Sequence, residues 1–340
     1  MPELVAIVLA AGHGKRMKSS TPKVMHKVAG RPLVHYCIAA AIEAGAVQAV
    51  VVVGHEREQV VPYLRAAFGS RVRTAVQEQQ HGTGHAAQQA LPALCPDADR
   101  VLILYGDTPL LNPADLGALD RALRDHPHAP LALLTCTIDD PTGYGRIMRG
   151  ADGAVVEIRE HRDLRSDAER ATREVNPGVY CARVAFVREA LASLRPNNAQ
   201  GELYLTDIVA QAVTRGGVVD APGHASSLVG INDRDQLALA ERLMRERILA
   251  RHRKNGVTLR AGAQVDDAVT LQADATIESH AVLRGATTVG AGAVVGVGCV
   301  LTDACIGNGA QLGPYCVVHG VNVAPGAELA AFTRLTGGLS

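Results

Sequence analysis

Charge of neither sign is in surplus in this 340-residue chain: 34 lysines and arginines face 34 aspartates and glutamates. That balance argues against an electrostatic nucleic-acid binder, which would carry a basic excess or stripe. No polybasic block is present to hold the chain on an anionic membrane. No run reaches the ~18 apolar residues that a spanning helix needs. The apolar opening, Leu4 to Leu9, lacks the basic region that precedes the core of a leader peptide; Pro2-Glu3 stands there, and the cations come afterwards. The expectation is a soluble, cytoplasmic protein with neither nucleic acid nor membrane as partner. A C-x-x-C pair is also missing. Cys37, Cys95, Cys136, Cys181, Cys299, Cys305 and Cys316 are odd in number and scattered, which reads as reduced, mostly buried thiols without a metal or redox task. Lysine is scarce, with five in all, yet Lys15, Lys18, Lys23 and Lys27 fall within thirteen residues of one another. Such clustering in a lysine-poor chain points to a local site for anions.

What is present divides into two halves of different period. With 47% apolar residues, a core for about two domains is available. Up to about residue 230, short β-branched runs alternate with helical stretches. Strands are expected at 4–10, 49–53, 71–76, 101–105, 131–137, 178–183 and 226–229, and helices at 32–45 and 83–91. Val50 to Val53 and Val101 to Leu104 are apolar throughout, as suits central strands covered on both faces. The class is therefore layered α/β, with ligands expected beyond the carboxyl ends of the strands. Residues 233–253 read as one amphipathic connecting helix, with Leu237, Leu239, Leu243, Met244 and Ile248 as its apolar stripe. Arg251 to Lys254 sit at its C-terminal end and Asn255-Gly256 stop it.

The period then becomes six. Val265, Leu271, Ile277, Leu283, Val289, Val295, Leu301, Ile306, Leu312, Val318, Val323, Leu329 and Leu335 are all aliphatic; ten of the twelve steps are six residues and two are five. A hexad repeat is the signature of a parallel β-helix, each hexad supplying one short face and one inward aliphatic. Domains are expected at 1–232 and 255–340, joined by a helix at 233–254.

The stretch "LAAGHGKRM", residues 9–17, reads either as a phosphate-binding turn or as an ordinary glycine turn with solvated cations. It is not a Walker phosphate loop, because Arg16 stands where Ser or Thr is required and no glycine lies five positions before Gly14. It is not a dinucleotide fingerprint either, because Met17 replaces the third glycine. What remains is a strand, a glycine turn and then cations, a combination whose backbone N–H groups can cradle phosphate. Asp107 ends an apolar strand, where a carboxylate meets ligands, although a strand-end cap or salt-bridge partner is the plainer use. Asn232 can equally be the N-cap of the following helix.

Followed by "PK" at 22–23, the stretch resembles the nucleotidyltransferases that join a nucleoside triphosphate to a sugar 1-phosphate. "QEQQHGTGHAAQQA" (77–90), "LYGDTPLL" (104–111), "DPTGYGRI" (140–147), "NNAQGELYLTD" (197–207) and "GINDRDQLALAE" (230–241) then follow in order. With the hexad tail, they resemble the N-acetylglucosamine-1-phosphate uridyltransferase half of the bacterial GlmU family. The resemblance implies a Rossmann-like domain with a mixed, mostly parallel sheet, followed by a short left-handed β-helix of three hexads per turn. It implies Mg²⁺-dependent transfer from UTP to N-acetylglucosamine 1-phosphate, giving a cell-wall and lipopolysaccharide precursor and pyrophosphate; the alternatives are a nucleotidyltransferase for another sugar 1-phosphate or nucleotide, and a non-catalytic regulatory subunit. It also implies roles. Leu9, Ala10, Ala11 and Gly12 would wrap the nucleotide, and Gln77, Gly82 and Thr83 would read the uracil. Arg16 and Lys23 would grip the triphosphate as the catalytic cations. Tyr105, Gly106, Gly145, Glu160 and Asn176 would line the sugar pocket. Asp107 and Asn232 would hold Mg²⁺. A homotrimer through the β-helix is expected.

The pattern departs from the family at Lys15, where Thr is usual, at Pro177 in "VNPG", where N-T-G is usual, and at Leu203, where Tyr is usual. Thr336 replaces an arginine that contacts the amino sugar, and the family's further coils, which build its acetyltransferase site, do not follow. The expectation is a chain without acetyltransferase activity.

Overall fold

A computed structural model describes residues 3–12, 14–54, 56–228 and 230–337, and the side chain of Lys15 also lies outside the described set. The chain forms two compact units, residues 1–26 with 32–236, and residues 27–31 with 237–340.

The first unit is built on a mixed sheet. Its strands in chain order are β1 (Glu3–Leu9), then, after the short hairpin strands β2 (Lys27–Val28) and β3 (Arg31–Pro32), β4 (Gln48–Val53), β5 (Val72–Val76), β6 (Ala98–Tyr105) and β7 (Leu131–Thr137). β8 (Gly145–Arg149), β9 (Val155–Arg159), β10 (Glu174–Asn176), β11 (Tyr180–Arg183) and β12 (Val218–Pro222) complete it. The order is β5-β4-β1-β6-β11-β7-β10-β8-β9, with β12 also paired to β7. β1, β4, β5 and β6 pair in parallel. β11 enters antiparallel between β6 and β7.

The apolar runs behave as continuous hydrophobic strands should: Val50 to Val53 and Val101 to Leu104 are 0% exposed. Their side chains alternate between two cores. Ile7, Val50, Val52 and Ile103 enter one, closed by α3 (Thr83–Ala90), α6 (Val184–Ala192) and α7 (Asp207–Thr214). Val8, Val51, Val53 and Leu104 enter the other, closed by α1 (Leu33–Glu43), α2 (Arg57–Phe68) and α4 (Pro113–Asp125). Each such side chain, fully buried, contributes about 1.5–3 kcal/mol. A further short helix, α5 (Asp167–Ala171), is capped by Ser166, whose hydroxyl accepts from Glu169 N.

One expected strand is corrected. Residues 226–229 do not form one: Ala225–Ser227 is a 3-10 turn, and Val229 lies outside the described residues. Leu228 is buried because it packs into the second of the two cores, which explains the apolar signal without a strand. The strand of this region is β12 instead, whose half-exposed V-V-D-A-P shows little alternation. The short strands β8 to β10 escaped notice because charged residues interrupt them.

In the second unit, α8 (Arg234–Lys254) buries Ala240, Met244, Ile248 and His252, a stripe at four-residue spacing. Leu239, expected in that stripe, is exposed. Glu241 accepts from Ala29 N at 2.6 Å, and Arg245 pairs with Asp266 at 3.1 Å. The hexads form three parallel sheets of five, five and four short strands, and the expected β-helix is borne out. Leu259, Ile277, Val295, Leu312 and Leu329 stack on one face. Val265, Leu283, Leu301, Val318 and Leu335 stack on the next. Val265 through Val323 are buried at every aliphatic position of the repeat. The five-residue steps shorten a coil without breaking the register, since Val289 still pairs Ile306 and Ile306 pairs Val323.

Candidate active site

A cavity of about 330 Å³ opens beyond the carboxyl ends of β1 and β6 in the first unit. In an α/β sheet that is where ligands bind. Leu9, Ala10, Ala11 and Gly12 line it from the end of β1, and Gln77, Gly82 and Thr83 from the approach to α3. Tyr105 and Asp107 come from the end of β6, and Lys23 from a 3-10 turn, Lys23–Met25.

Close backbone approaches fix this wall. Ala10 N donates to Val52 O and Gly106 N donates to Leu9 O, each at 2.9 Å. Gly106, expected in the sugar pocket, does not line the cavity and serves through this backbone bond. Glycine is required at Gly14: its φ is +58°, and a Cβ would lie 2.6 Å from Lys23 Cβ. Gly14 thus seats the stem of Lys23. Gly12 is different: a Cβ there would meet nothing within 4 Å, so the fold itself does not demand glycine at this cavity-lining position. Arg16, on the turn Lys15–Met17, is exposed and does not line the cavity.

Lys23 is the centre of the polar end. Its ammonium donates to Asp107 Oδ2 and, at 3.3 Å, to Asn232 Oδ1. The plainer reading of Asp107, a salt-bridge partner, is therefore realised in this structure. The reading of Asn232 as a helix N-cap is corrected: Asp233 caps α8, its Oδ1 accepting from Gln236 N at 2.9 Å. Gln236 returns its Oε1 to Asn232 N at 2.6 Å. That exchange holds the Asn232 backbone and leaves its side chain to Lys23. Ile231 N donates to Asp107 O at 2.9 Å, tying the two segments together. Behind Asp107, Thr108 Oγ1 donates to Tyr105 O at 2.8 Å and Cys37 Sγ donates to Thr108 O at 3.4 Å. Burial pushes the Cys37 thiol up to about 12, so it stays a neutral donor.

Tyr105 leads to a second polar group. Burial, and then the nearby Glu160 carboxylate, hold its phenol above the ordinary value. Burial likewise raises Glu160, which accepts from Thr206 Oγ1 at 3.1 Å. Gly145 lies beside it; a Cβ there would stand 3.4 Å from Glu160 Oε1. Asn176 is buried, with Oδ1 accepting from Gly178 N at 3.0 Å and Nδ2 donating to Tyr180 Oη at 2.7 Å. Gly145, Glu160 and Asn176 do not themselves line the cavity.

Sequence reasoning missed Gln80, Glu202, Val24 and Ala86, which also line it. Gln80 Nε2 donates to Ala11 O at 2.5 Å, bridging two walls of the cavity. Gln80 and Glu202 lay inside the motif stretches at 77–90 and 197–207, but nothing in their spacing singled them out. Leu203 works through its backbone, which accepts from Gly84 N and donates to His81 O. Its side chain is also partly buried, packed against the first of the two cores.

The family profile described as a MobA-like NTP transferase domain matches residues 6–203. The bifunctional protein GlmU of Sorangium cellulosum is 52% identical over 340 residues, covering 98% of this chain and 71% of that protein. The chain belongs to the GlmU family. The GlmU of Anaeromyxobacter dehalogenans strain 2CP-C is 46% identical over 338 residues, 98% of this chain and 69% of its own length. A solved Bacillus anthracis structure that carries the name glucose-1-phosphate thymidylyltransferase aligns with TM-score 0.59 at 20% identity, over 72% of this chain and 96% of that one. That likeness concerns the fold. As a GlmU-family member, the chain is a nucleotidyltransferase acting between a nucleoside triphosphate and a sugar phosphate. Among the described residues, no helix is long and apolar enough to cross a membrane.

Proposed function

We propose that this chain transfers the uridylyl group of UTP to N-acetylglucosamine 1-phosphate, releasing pyrophosphate. The observation that carries the reading is the single cavity in which the Leu9–Gly12 wall, Gln77, Gly82, Thr83, Lys23 and Asp107 meet. Leu9 to Gly12 wrap the nucleotide, and Gln77, Gly82 and Thr83 face the uracil edge. Tyr105, Gly106, Gly145, Glu160 and Asn176 shape the sugar side. The acceptor phosphate attacks the α-phosphorus in line. Its second pKa is about 6, so it arrives as an anion and needs no general base. Catalysis is then positioning and charge neutralisation, with Arg16 and Lys23 meeting the negative charge that moves onto pyrophosphate.

Asp107 and Asn232 are the residues that would hold Mg²⁺. They fit a cation: their oxygens already converge on one, the Lys23 ammonium. Mg²⁺ prefers oxygen donors, keeps several waters and needs only one or two protein groups besides phosphates. When bound, it supplies neutralisation of phosphate charge. We place the assembly as a homotrimer through the β-helix, which light scattering tests directly.

One observation favours a second sugar. Pro177 has no N–H, and the Asn176 amide is engaged with Gly178 and Tyr180. Both features bear on the group that would meet an N-acetyl substituent. Pyrophosphate release over a panel of nucleoside triphosphates and sugar 1-phosphates, with and without Mg²⁺, decides. The highest kcat/KM is expected for UTP with N-acetylglucosamine 1-phosphate, and a preference for glucose 1-phosphate would establish the second reading.

A further inference from the structure

The Lys23 ammonium occupies the point on which Asp107 Oδ2 and Asn232 Oδ1 converge. We infer that Lys23 is a built-in stand-in for the divalent cation, excluding it from the resting site until a bound triphosphate draws the ammonium away. The inference rests on the reading of Asp107 and Asn232 as the metal-holding pair.

The arrangement is specific. The side chains of Lys23 and Asp107 are only 15% and 16% exposed, so their pairing is screened less than a surface ion pair. An ammonium and a divalent cation cannot share the same two oxygens, because their repulsion at contact distance is large in a partly dry site. The Lys23 stem cannot drift, since Gly14 packs against its Cβ and its backbone lies in a 3-10 turn. Only the flexible head can exchange partners. Lys23 lines the same cavity as Ala11 and Gly12, so a triphosphate seated on that wall offers the head stronger anionic acceptors. The two oxygens are then released to the metal. Nucleotide and metal binding are thereby coupled, and the coupling is reciprocal. The device also protects Asp107 from being left as an unpaired, partly buried charge when the site is empty of ligand.

The test is Mn²⁺ binding to nucleotide-free protein, followed by electron paramagnetic resonance of the free ion, for wild type, Lys23→Met and Asp107→Asn. Far-ultraviolet circular dichroism and thermal unfolding accompany each variant to establish its fold. Lys23→Met is expected to bind Mn²⁺ at least about tenfold more tightly than wild type, and Asp107→Asn to abolish tight binding. Equal affinity in wild type and Lys23→Met, still lost in Asp107→Asn, overturns the stand-in while leaving the metal pair intact. Binding insensitive to Asp107→Asn overturns the metal pair and the inference with it. No binding to either wild type or Lys23→Met also overturns the inference. A second measurement needs no variant. With five lysines in the chain, the ¹⁵N-ammonium resonances are few enough to assign. The Lys23 signal is expected to be protected from exchange in the free protein and to shift when α,β-methylene-UTP and Mg²⁺ are added together. A Lys23 signal that exchanges freely in the ligand-free protein contradicts the pairing.

Discussion

Gly178 makes room for the ring of Tyr105: a Cβ at Gly178 would lie 2.1 Å from the ring's Cε2, and the backbone there has φ +80°. The glycine answers both a steric and a conformational requirement. Gly178→Ala is expected to lower stability by about 1–3 kcal/mol. With Tyr105 proposed for the sugar side, the variant is also expected to raise KM for the sugar 1-phosphate more than KM for UTP. Thermal unfolding and initial-rate kinetics measure both, and equal changes in the two KM values would count against the placement of Tyr105.

Arg16 and Lys23 are assigned to the triphosphate from opposite structural circumstances, one exposed and one seated beneath Gly14. Removing either by substitution with alanine is expected to lower kcat about 10²–10³-fold, the usual loss for one positioned electrostatic donor. Near-normal turnover in Arg16→Ala would remove it from the catalytic set and leave the charge neutralisation to Lys23.

Much of this architecture was legible in the sequence because burial imposes period. The β-branched, wholly apolar runs Val50 to Val53 and Val101 to Leu104 suited covered strands, and the hexads announced their coils one aliphatic at a time. The antiparallel entry of β11 was not legible, because direction is set by which neighbours a strand finds rather than by its own residues. Residues 226–229 misled because Leu228 buries itself from a turn. At the site, the motif stretches named the residues but not their partners. That Lys23 binds Asp107 and Asn232, 84 and 209 residues away in sequence, is a tertiary fact with no local signature. That Asp233 rather than Asn232 caps α8 turned on a one-residue shift between adjacent capping-type side chains.

Burial pushes the Glu160 carboxyl above the ordinary carboxylate value. The folded protein therefore keeps this proton at pH values where the unfolded chain has released it. Glu160 accordingly makes stability fall as pH rises from the ordinary carboxylate value through the raised one. Glu160→Gln keeps the acceptor for Thr206 and removes the titration. Its Tm relative to wild type is expected to be higher near neutrality, with the gap closing towards acid. Unfolding curves from about pH 4 to about pH 8 measure it, and a constant difference between the two proteins would contradict the burial of a titrating carboxyl.

Thr108 holds the turn that presents Asp107, donating to Tyr105 O while Cys37 braces it from α1. Thr108→Val is expected to raise the Mg²⁺ concentration for half-maximal activity about tenfold, with Thr108→Ser restoring it. A change in KM for UTP without any change in metal requirement would mean that the turn supports the nucleotide wall instead.

Leu301 is fully buried in its coil, paired above and below with Leu283 and Val318. Leu301→Ala is expected to cost about 2–5 kcal/mol in denaturant unfolding. A cost below 1 kcal/mol would be incompatible with a packed β-helix interior.

The identity of the reaction decides the roles given to these residues. It is tested most directly by offering the purified chain UTP, dTTP, ATP and GTP together with equal concentrations of N-acetylglucosamine 1-phosphate and glucose 1-phosphate, with Mg²⁺, and identifying the nucleotide sugar by mass spectrometry at early times. UDP-N-acetylglucosamine is expected as the dominant product, accompanied by stoichiometric pyrophosphate. A different nucleotide sugar as the main product, or no pyrophosphate at all, would contradict it.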